Sequence, residues 1–564
     1  MESTLPSAVR LSLSQAAEHA SRLSASRLDV ALLVACAAAV LAIRVQLLLS
    51  TEFPLNDGGL FLAFVQAIAR EFPGIPSHVA YNGLDIPFAY PPLSFWLAAL
   101  GVRGGLDALT LVHLLPILMN VAYVLLFALL LLRTGHSPLF TAIALLVFGT
   151  TFRSYEWLVM GGGLSRGLGS LFLLLTLLTV MRDWRQPGAA RWSVPRLLVA
   201  GVCVGGAVAS HLEWGILAAL SSLLCLALAR PGWAGFVRAS FIVGITSLIV
   251  VAPWLLRVYT VHGFEPFAAA AGTGQWSSYV FLGSVKAIAR TSNFILPFVV
   301  VGIVSAFRGR DLFWLLFMGV ALLLTPRTGE TPMVLSLGVL AAGGFLTCLV
   351  MLRQWAGGNA RKVLAGFVLF GVMLTALRTT DATRRDENFV ALAPELRSAM
   401  SWVATRHAGE RFAVLKEAPW HYNASAEWFP VLAGAVNVTT SQGREWFRGE
   451  FERATLATDT LNASTTCAQV LSGLRAFGPA QFVWVEGIDL HARAAAIKSG
   501  RARRGFAEWM AALGRAVRGA PGFDRGRGLS ALRGEGTAAG CFDELGYAEV
   551  YANERVRIFR VPSS

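Results

Sequence analysis

Charge is scarce in this chain. Of 564 residues, 15% are Asp, Glu, Lys or Arg, 55% are hydrophobic, and mean hydropathy is +0.58. A soluble domain carries about 25% charged residues, so the balance excludes soluble and disordered classes and implies a multi-pass membrane protein. Cysteine is equally sparse, with six residues. Four of them, Cys36, Cys203, Cys225 and Cys348, fall in apolar runs, which excludes a disulfide-built scaffold. Cys467 and Cys541 alone lie in the polar tail, either as one disulfide or as two unpaired thiols. There is no convincing internal repeat and no long low-complexity tract. No cleavable signal peptide is expected: residues up to Ser26 are polar, and the first apolar run, Leu28 to Leu49, is at roughly 20 residues long enough to span. No Gly-rich phosphate loop argues for a nucleotide substrate, and no His, Cys or carboxylate cluster has ligand spacing, so a resident metal is unsupported and a divalent cation stays open as a cofactor.

Acidic residues are the rarer sign, leaving a net charge of +14. The arginines lie largely in short loops between apolar runs, where orientation in the bilayer accounts for them, so nucleic acid is not an expected partner. Apolar runs predict spans near residues 29–49, 107–132, 137–152, 160–181, 196–211, 213–229, 236–257, 281–307, 312–325, 331–352 and 362–378, about 11 transmembrane helices. Arg10, Arg22, Arg27, Arg133, Arg182, Arg238, Arg308 and Arg353, among others, share one side if the N-terminus is cytoplasmic. The expected layout is a cytoplasmic segment 1–28, a membrane region 29–378 with a first outer loop 50–106, and an extracytoplasmic tail 379–564. A bacterial plasma membrane is the expected location. In the tail, helical residues 394–407 and strand-like runs 412–415, 481–485 and 556–561 predict an α/β domain. Residues 91–100 are apolar but too short to cross and predict an interfacial helix with Phe95 and Trp96 at headgroup depth.

Several side chains have the chemistry for a site. Asp57 stands between Asn56 and the pair Gly58-Gly59. Such a carboxylate can deprotonate a hydroxyl, or it can cap the helix that begins at Gly59. Arg166 follows the glycines 161–163 inside an apolar run, where its charge requires a partner, either Glu156 in a structural ion pair or a phosphate. Lys286 and Arg290 share a helical face and suit a joint phosphate contact or snorkelling to headgroups. His211 and Glu213 in a short turn are a titratable pair or simple helix-end groups. Glu427-Trp428-Phe429 and Gln442 to Phe447 combine charge with aromatic faces that suit either sugar stacking or packing.

One span, an acidic first outer loop, the element Tyr90-Pro91-Pro92-Leu93, many further spans and a polar tail together resemble the C-type glycosyltransferase superfamily. These membrane enzymes use polyprenyl-phosphate sugars and include protein mannosyltransferases and the aminoarabinose transferases of lipid A. The resemblance implies that Asp57 is the catalytic carboxylate and that Tyr90, Pro91 and Pro92 frame the lipid-donor site. Many members have a second acid where this chain has Gly58, and some have Lys where it has Tyr90. The implied function is inverting transfer of a monosaccharide from a polyprenyl-phosphate donor to a glycan, lipid or protein acceptor at the outer face. The alternatives are a non-catalytic glycolipid-binding scaffold and a lipid or polysaccharide transporter.

Overall fold

The computed structural model describes residues 27–49, 53, 57–159, 163–181, 192–229, 232–272, 295–309, 311–324, 330–356, 392–416, 423–487 and 537–562. Five helices among them are long and apolar enough to cross a membrane: Arg27–Leu49, Ala108–Arg133, Gly163–Val180, Trp233–His262 and the stretch Glu330–Met351. Shorter apolar helices stand at five more of the expected span positions: Pro138–Thr150, Val194–Ser210, Leu212–Leu228, Leu296–Gly309 and Phe313–Leu324. The run 362–378 lies outside the described residues. The chain divides into two compact units, the first made of Met1–Ser50, Tyr90–Arg257 and Trp276–Arg384, the second of Thr51–Ala89, Val258–Gln275 and Arg385–Ser564.

In the first unit the helices begin where local chemistry directs. Asp107 accepts from the backbone N–H of Thr110 at 2.8 Å, and Ser137 caps a helix whose first residue is Pro138. Large apolar side chains such as Phe127, Phe148, Leu173 and Phe317 fill the core between them. Where two helices meet most closely, Gly302 lies against the backbone of Leu340, and Gly344 against the carbonyl of Phe298. A methyl group at either glycine would overlap main chain, which cannot swing aside. Gly344→Ala is therefore expected to destabilise the unit by about 1–3 kcal/mol, as overpacking does, seen as a lower melting temperature in detergent. An unchanged melting temperature would show that the two helices part easily.

Inside the first helix, Arg44 is 1% exposed. The run Leu28 to Leu49 reads as a plain apolar span, yet this guanidinium is enclosed by protein. Its Nη2 donates to Phe148 O at 3.3 Å and its Nε to Gly149 O at 3.4 Å, two of the last carbonyls of Pro138–Thr150 that have no partner within their own helix. Nη1 reaches Asn120 Oδ1 at 3.4 Å, Nη2 also meets Ser154 Oγ, and the ring faces of Phe148 and Tyr155 lie 4.5 and 5.1 Å from the guanidinium carbon. Asn120 in turn donates to Pro116 O and Leu158 O, both at 3.1 Å. The short helix Leu93–Arg103 starts after Pro92, and Phe95 is fully buried, its ring edge-on to Tyr90 at 5.5 Å.

The second unit contains the helix Gly58–Glu71 and a hairpin of β1 (His78–Tyr81) and β2 (Leu84–Pro87), closed by Asn82-Gly83 with both φ positive. A five-stranded sheet follows, from β3 (Arg411–Leu415), β4 (Val436–Asn437), β5 (Phe482–Glu486), β6 (Ala548–Ala552) and β7 (Val556–Arg560), in the order β4-β3-β5-β7-β6. β3 pairs parallel with β4 and β5, whereas β7 runs antiparallel to both its neighbours. β4 and β6 escape a sequence reading because one is two residues long and the other is a largely exposed edge. Cys467 and Cys541 form a disulfide that joins the helices Cys467–Arg475 and Ala538–Glu544 over one face of the sheet. Asn82 completes the unit: its side chain donates to Asn437 O at 2.8 Å and accepts from Asn437 N at 2.6 Å, imitating a strand pairing.

Candidate functional site

Asp57 occupies the capping position of Gly58–Glu71, but its side chain makes no capping hydrogen bond. The first N–H, that of Gly58, is instead satisfied at 2.5 Å by Oε1 of Glu427, from the distant helix Ala424–Leu432. Relieved of capping, the Asp57 carboxylate accepts from the side-chain amide of Gln442 through Oδ1. Its backbone is left-handed, with φ +79°, which a non-glycine residue adopts at some cost and which Asp and Asn tolerate best. The two glycines after it serve packing. A Cβ on Gly58 would lie 2.6 Å from the Trp428 ring, and one on Gly59 would lie 2.5 Å from the Glu427 carbonyl. Trp428 is thus fully buried, edge-on to Phe53 at 5.2 Å, and neither it nor the equally buried Phe429 presents a face to a sugar.

Carboxyl groups gather around Asp57. Tyr81 donates to Glu427 O at 3.0 Å, and its hydroxyl is held well above its ordinary range by burial and by the charges of Glu427, Glu445 and Asp57. Glu445 has a buried Oε2 without a hydrogen-bond partner among the described residues. Burial, and then the Asp57 charge, push its carboxyl up from 4.5 to about 8. Near neutral pH Glu445 therefore keeps its proton. Since the folded state binds this proton more tightly than the unfolded chain, the group's contribution to stability is full below pH 4.5 and is lost as pH rises towards 8. Glu445→Gln is expected to flatten the fall in melting temperature across that window; a fall of native size in the variant would refute the assignment.

In the first unit a second set of polar groups surrounds Tyr90. Its hydroxyl lies 3.3 Å from Ser165 Oγ, and its ring centroid is 6.5 Å from that of His211. Pro91 and Pro92, both buried, lead from Tyr90 into the helix Leu93–Arg103. Arg166, next to Ser165, is placed over the Trp157 ring at 4.8 Å, while its buried Nε and Nη1 have no hydrogen-bond partner among the described residues. Glu156, expected as its partner, is instead taken by Arg153, whose Nε also reaches Glu330 Oε2 at 3.0 Å. His211 is the single extended residue between Val194–Ser210 and Leu212–Leu228, with Nδ1 buried and unpartnered among the described residues and with Glu213 and Arg166 as charged neighbours.

No protein-family model matches the sequence, and no curated protein matches it. Solved structures do. ArnT from Cupriavidus metallidurans bound to undecaprenyl phosphate matches with a TM-score of 0.52 and 14% identity, over 93% of this chain and 97% of that one. The apo state of the same protein gives 0.51 and 13%, with the same coverage. The archaeal oligosaccharyltransferase AglB from Archaeoglobus fulgidus, in complex with an inhibitory peptide and a dolichol-phosphate, gives 0.50 and 12% over 82% of this chain and 69% of that one. The chain shares its fold with these structures. With five helices able to span, the chain is an integral membrane protein of that fold.

Within this fold, the expected site residues fall into two groups. Asp57 belongs to the second unit, and Tyr90, Pro91, Pro92, Arg166, Glu156, His211 and Glu213 to the first. Lys286 and Arg290 lie outside the described residues. Among the described residues no three His, Cys, Asp or Glu side chains are grouped to hold a metal ion. Gln442, Glu445, Glu427 and Arg44 are the residues whose roles a sequence reading misses. For Arg44 the signal was available, a charge inside an apolar run. Gln442 and Glu445 carried none beyond their aromatic neighbours.

Proposed function

We propose that the protein transfers a monosaccharide from a polyprenyl-phosphate donor to a hydroxyl of a glycan, lipid or protein acceptor at the extracytoplasmic face of a bacterial plasma membrane. The reading places the N-terminus in the cytoplasm, eleven crossings in the bilayer and the sheet domain outside, where nucleotide sugars are not expected. Asp57 removes the acceptor proton as the acceptor oxygen attacks the anomeric carbon. The bond from that carbon to the donor phosphate breaks, its electron pair leaves with the polyprenyl phosphate, and a single displacement inverts the sugar. Charge building on the departing phosphate calls for cations, for which Arg166, Lys286 and Arg290 are the candidates, with Tyr90, Pro91, Pro92, His211 and Glu213 in donor binding.

The observation that carries this reading is a carboxylate released from helix capping and held by a neutral amide, on a fold shared with ArnT bound to undecaprenyl phosphate. Arg166, with two buried N–H groups unpartnered among the described residues, supports an anionic ligand in the first unit. The test is release of free polyprenyl phosphate from a panel of lipid-linked monosaccharides, by purified protein in bilayer discs with membrane extract as acceptor. Turnover lost in Asp57→Asn establishes the transferase. Binding without release in both proteins would leave a glycolipid-binding scaffold or a transporter.

A further inference from the structure

Gln442 is 4% exposed and follows β4 by five residues, in a stretch held by short-range bonds. Its own N–H donates to Thr440 Oγ1 at 3.3 Å, and Arg444 N donates to Ser441 O at 3.1 Å. Gly443 then turns with φ +84°, and a Cβ there would meet Ile86 Cδ1 at 2.8 Å and Tyr81 Cδ1 at 3.2 Å, so the turn lies flat on the β1–β2 hairpin. The 3₁₀ turn Arg444–Trp446 carries Glu445, and Arg444 is occupied by Glu450 at 3.2 Å. From this frame the Gln442 amide points at Asp57 Oδ1.

We propose that Gln442 is a positioning residue for Asp57, so that the stretch following β4 and the loop bearing the carboxylate form one functional unit. The inference rests on Asp57 being the base proposed above. A left-handed backbone determines where the Asp57 side chain starts but not its rotamer, and an amide N–H on one oxygen settles the direction of the carboxylate plane. The same bond favours the ionised form against the acidic surroundings of Glu427 and Glu445, of which Glu445 stays protonated near neutral pH. Because an amide is neither acid nor base, it holds Asp57 without competing for the acceptor proton. A lysine or arginine there would stabilise the carboxylate so strongly that it became a poor base.

Gln442→Met keeps the length of the side chain and removes the donor, whereas a glutamate there would hold its proton as Glu445 does and donate again. In the polyprenyl-phosphate release assay Gln442→Met is expected to lower kcat about 100-fold with the donor KM within about twofold, because orientation and not binding is lost. The acid limb of kcat/KM is expected to move up by about one pH unit, since the bond that favours the ionised carboxylate is gone; a mere loss of folded protein would leave that limb in place. Native kcat and an unmoved limb in Gln442→Met, with Asp57→Asn inactive, would overturn the positioning role while leaving the transferase standing. If no lipid-linked sugar is turned over by the native protein, the transferase reading fails first, and the contact is read from stability. Gln442→Leu should then lower the melting temperature less in an Asp57→Gly background than in the native one, and equal losses would overturn the contact.

Discussion

Asp57→Asn is expected to lower turnover by about 10²- to 10⁴-fold, the range over which a positioned general base contributes, without disturbing the fold. Asparagine tolerates a positive φ nearly as well as aspartate, so the left-handed backbone at +79° survives the change. Its side-chain oxygen can still accept from Gln442, and the cap on Gly58 is unaffected because Glu427 supplies it. What disappears is the ability to take up a proton. Asp57→Ala is a poorer test, because a Cβ-bearing residue without a polar tip adds strain at that φ. The informative pair of measurements is the initial rate of polyprenyl phosphate release and the melting temperature of the same sample. A variant that melts like the native protein and turns over like it would end the assignment of Asp57 as the base.

Arg44→Met is expected to cost the membrane unit about 3 kcal/mol or more, the largest stability effect of any single change considered. Methionine fills much of the space but donates nothing. Phe148 O and Gly149 O, at the end of Pro138–Thr150, lose their donors, as do Asn120 Oδ1 and Ser154 Oγ, in a region closed to water. The positive charge also opposes the negative end of that helix, a favourable placement that methionine forfeits. Arg44→Lys is expected to recover only part of the loss, since one ammonium on a flexible stem cannot reproduce a planar fork bonded at Nε, Nη1 and Nη2. Thermal unfolding in detergent checks both. A methionine variant as stable as the native protein would mean that these acceptors find other partners.

Both effects arise from contacts between residues far apart in the chain. Hydropathy placed helices at the first ten expected positions, with Trp233–His262 running longer than the expected 236–257; residues 281–294 of another expected span lie outside the described residues. Three of the five strands of the sheet were readable because they are buried runs of β-branched and aromatic residues; β4 and β6 were not, because a two-residue bridge and an exposed edge have no such pattern. The hairpin turn Asn82-Gly83 was visible in principle, since that dipeptide favours positive φ at both positions.

At the candidate site the division is sharper. Composition and the length of apolar runs settle the membrane class, because each residue's preference for lipid or water acts locally and adds along the helix. The position of Asp57 beside two glycines marks it as a place of unusual backbone, again a local property. Its release from capping is not local: it depends on Glu427, 370 positions further along by residue number, reaching Gly58, and on Gln442 reaching the carboxylate. The packing role of Gly58 and Gly59 is not local either, since it rests on their closeness to Trp428 and the Glu427 carbonyl. Arg44 and Glu156 show the rule from the other side, since a buried charge must find partners but the chain order does not say which. Arg44 takes carbonyls and rings, and Glu156 takes Arg153 in place of Arg166. Transfer of side chains and backbone between water and lipid is legible from residue types in order; the choice of hydrogen-bond and ion-pair partners depends on distance and direction, which exist once the chain has folded.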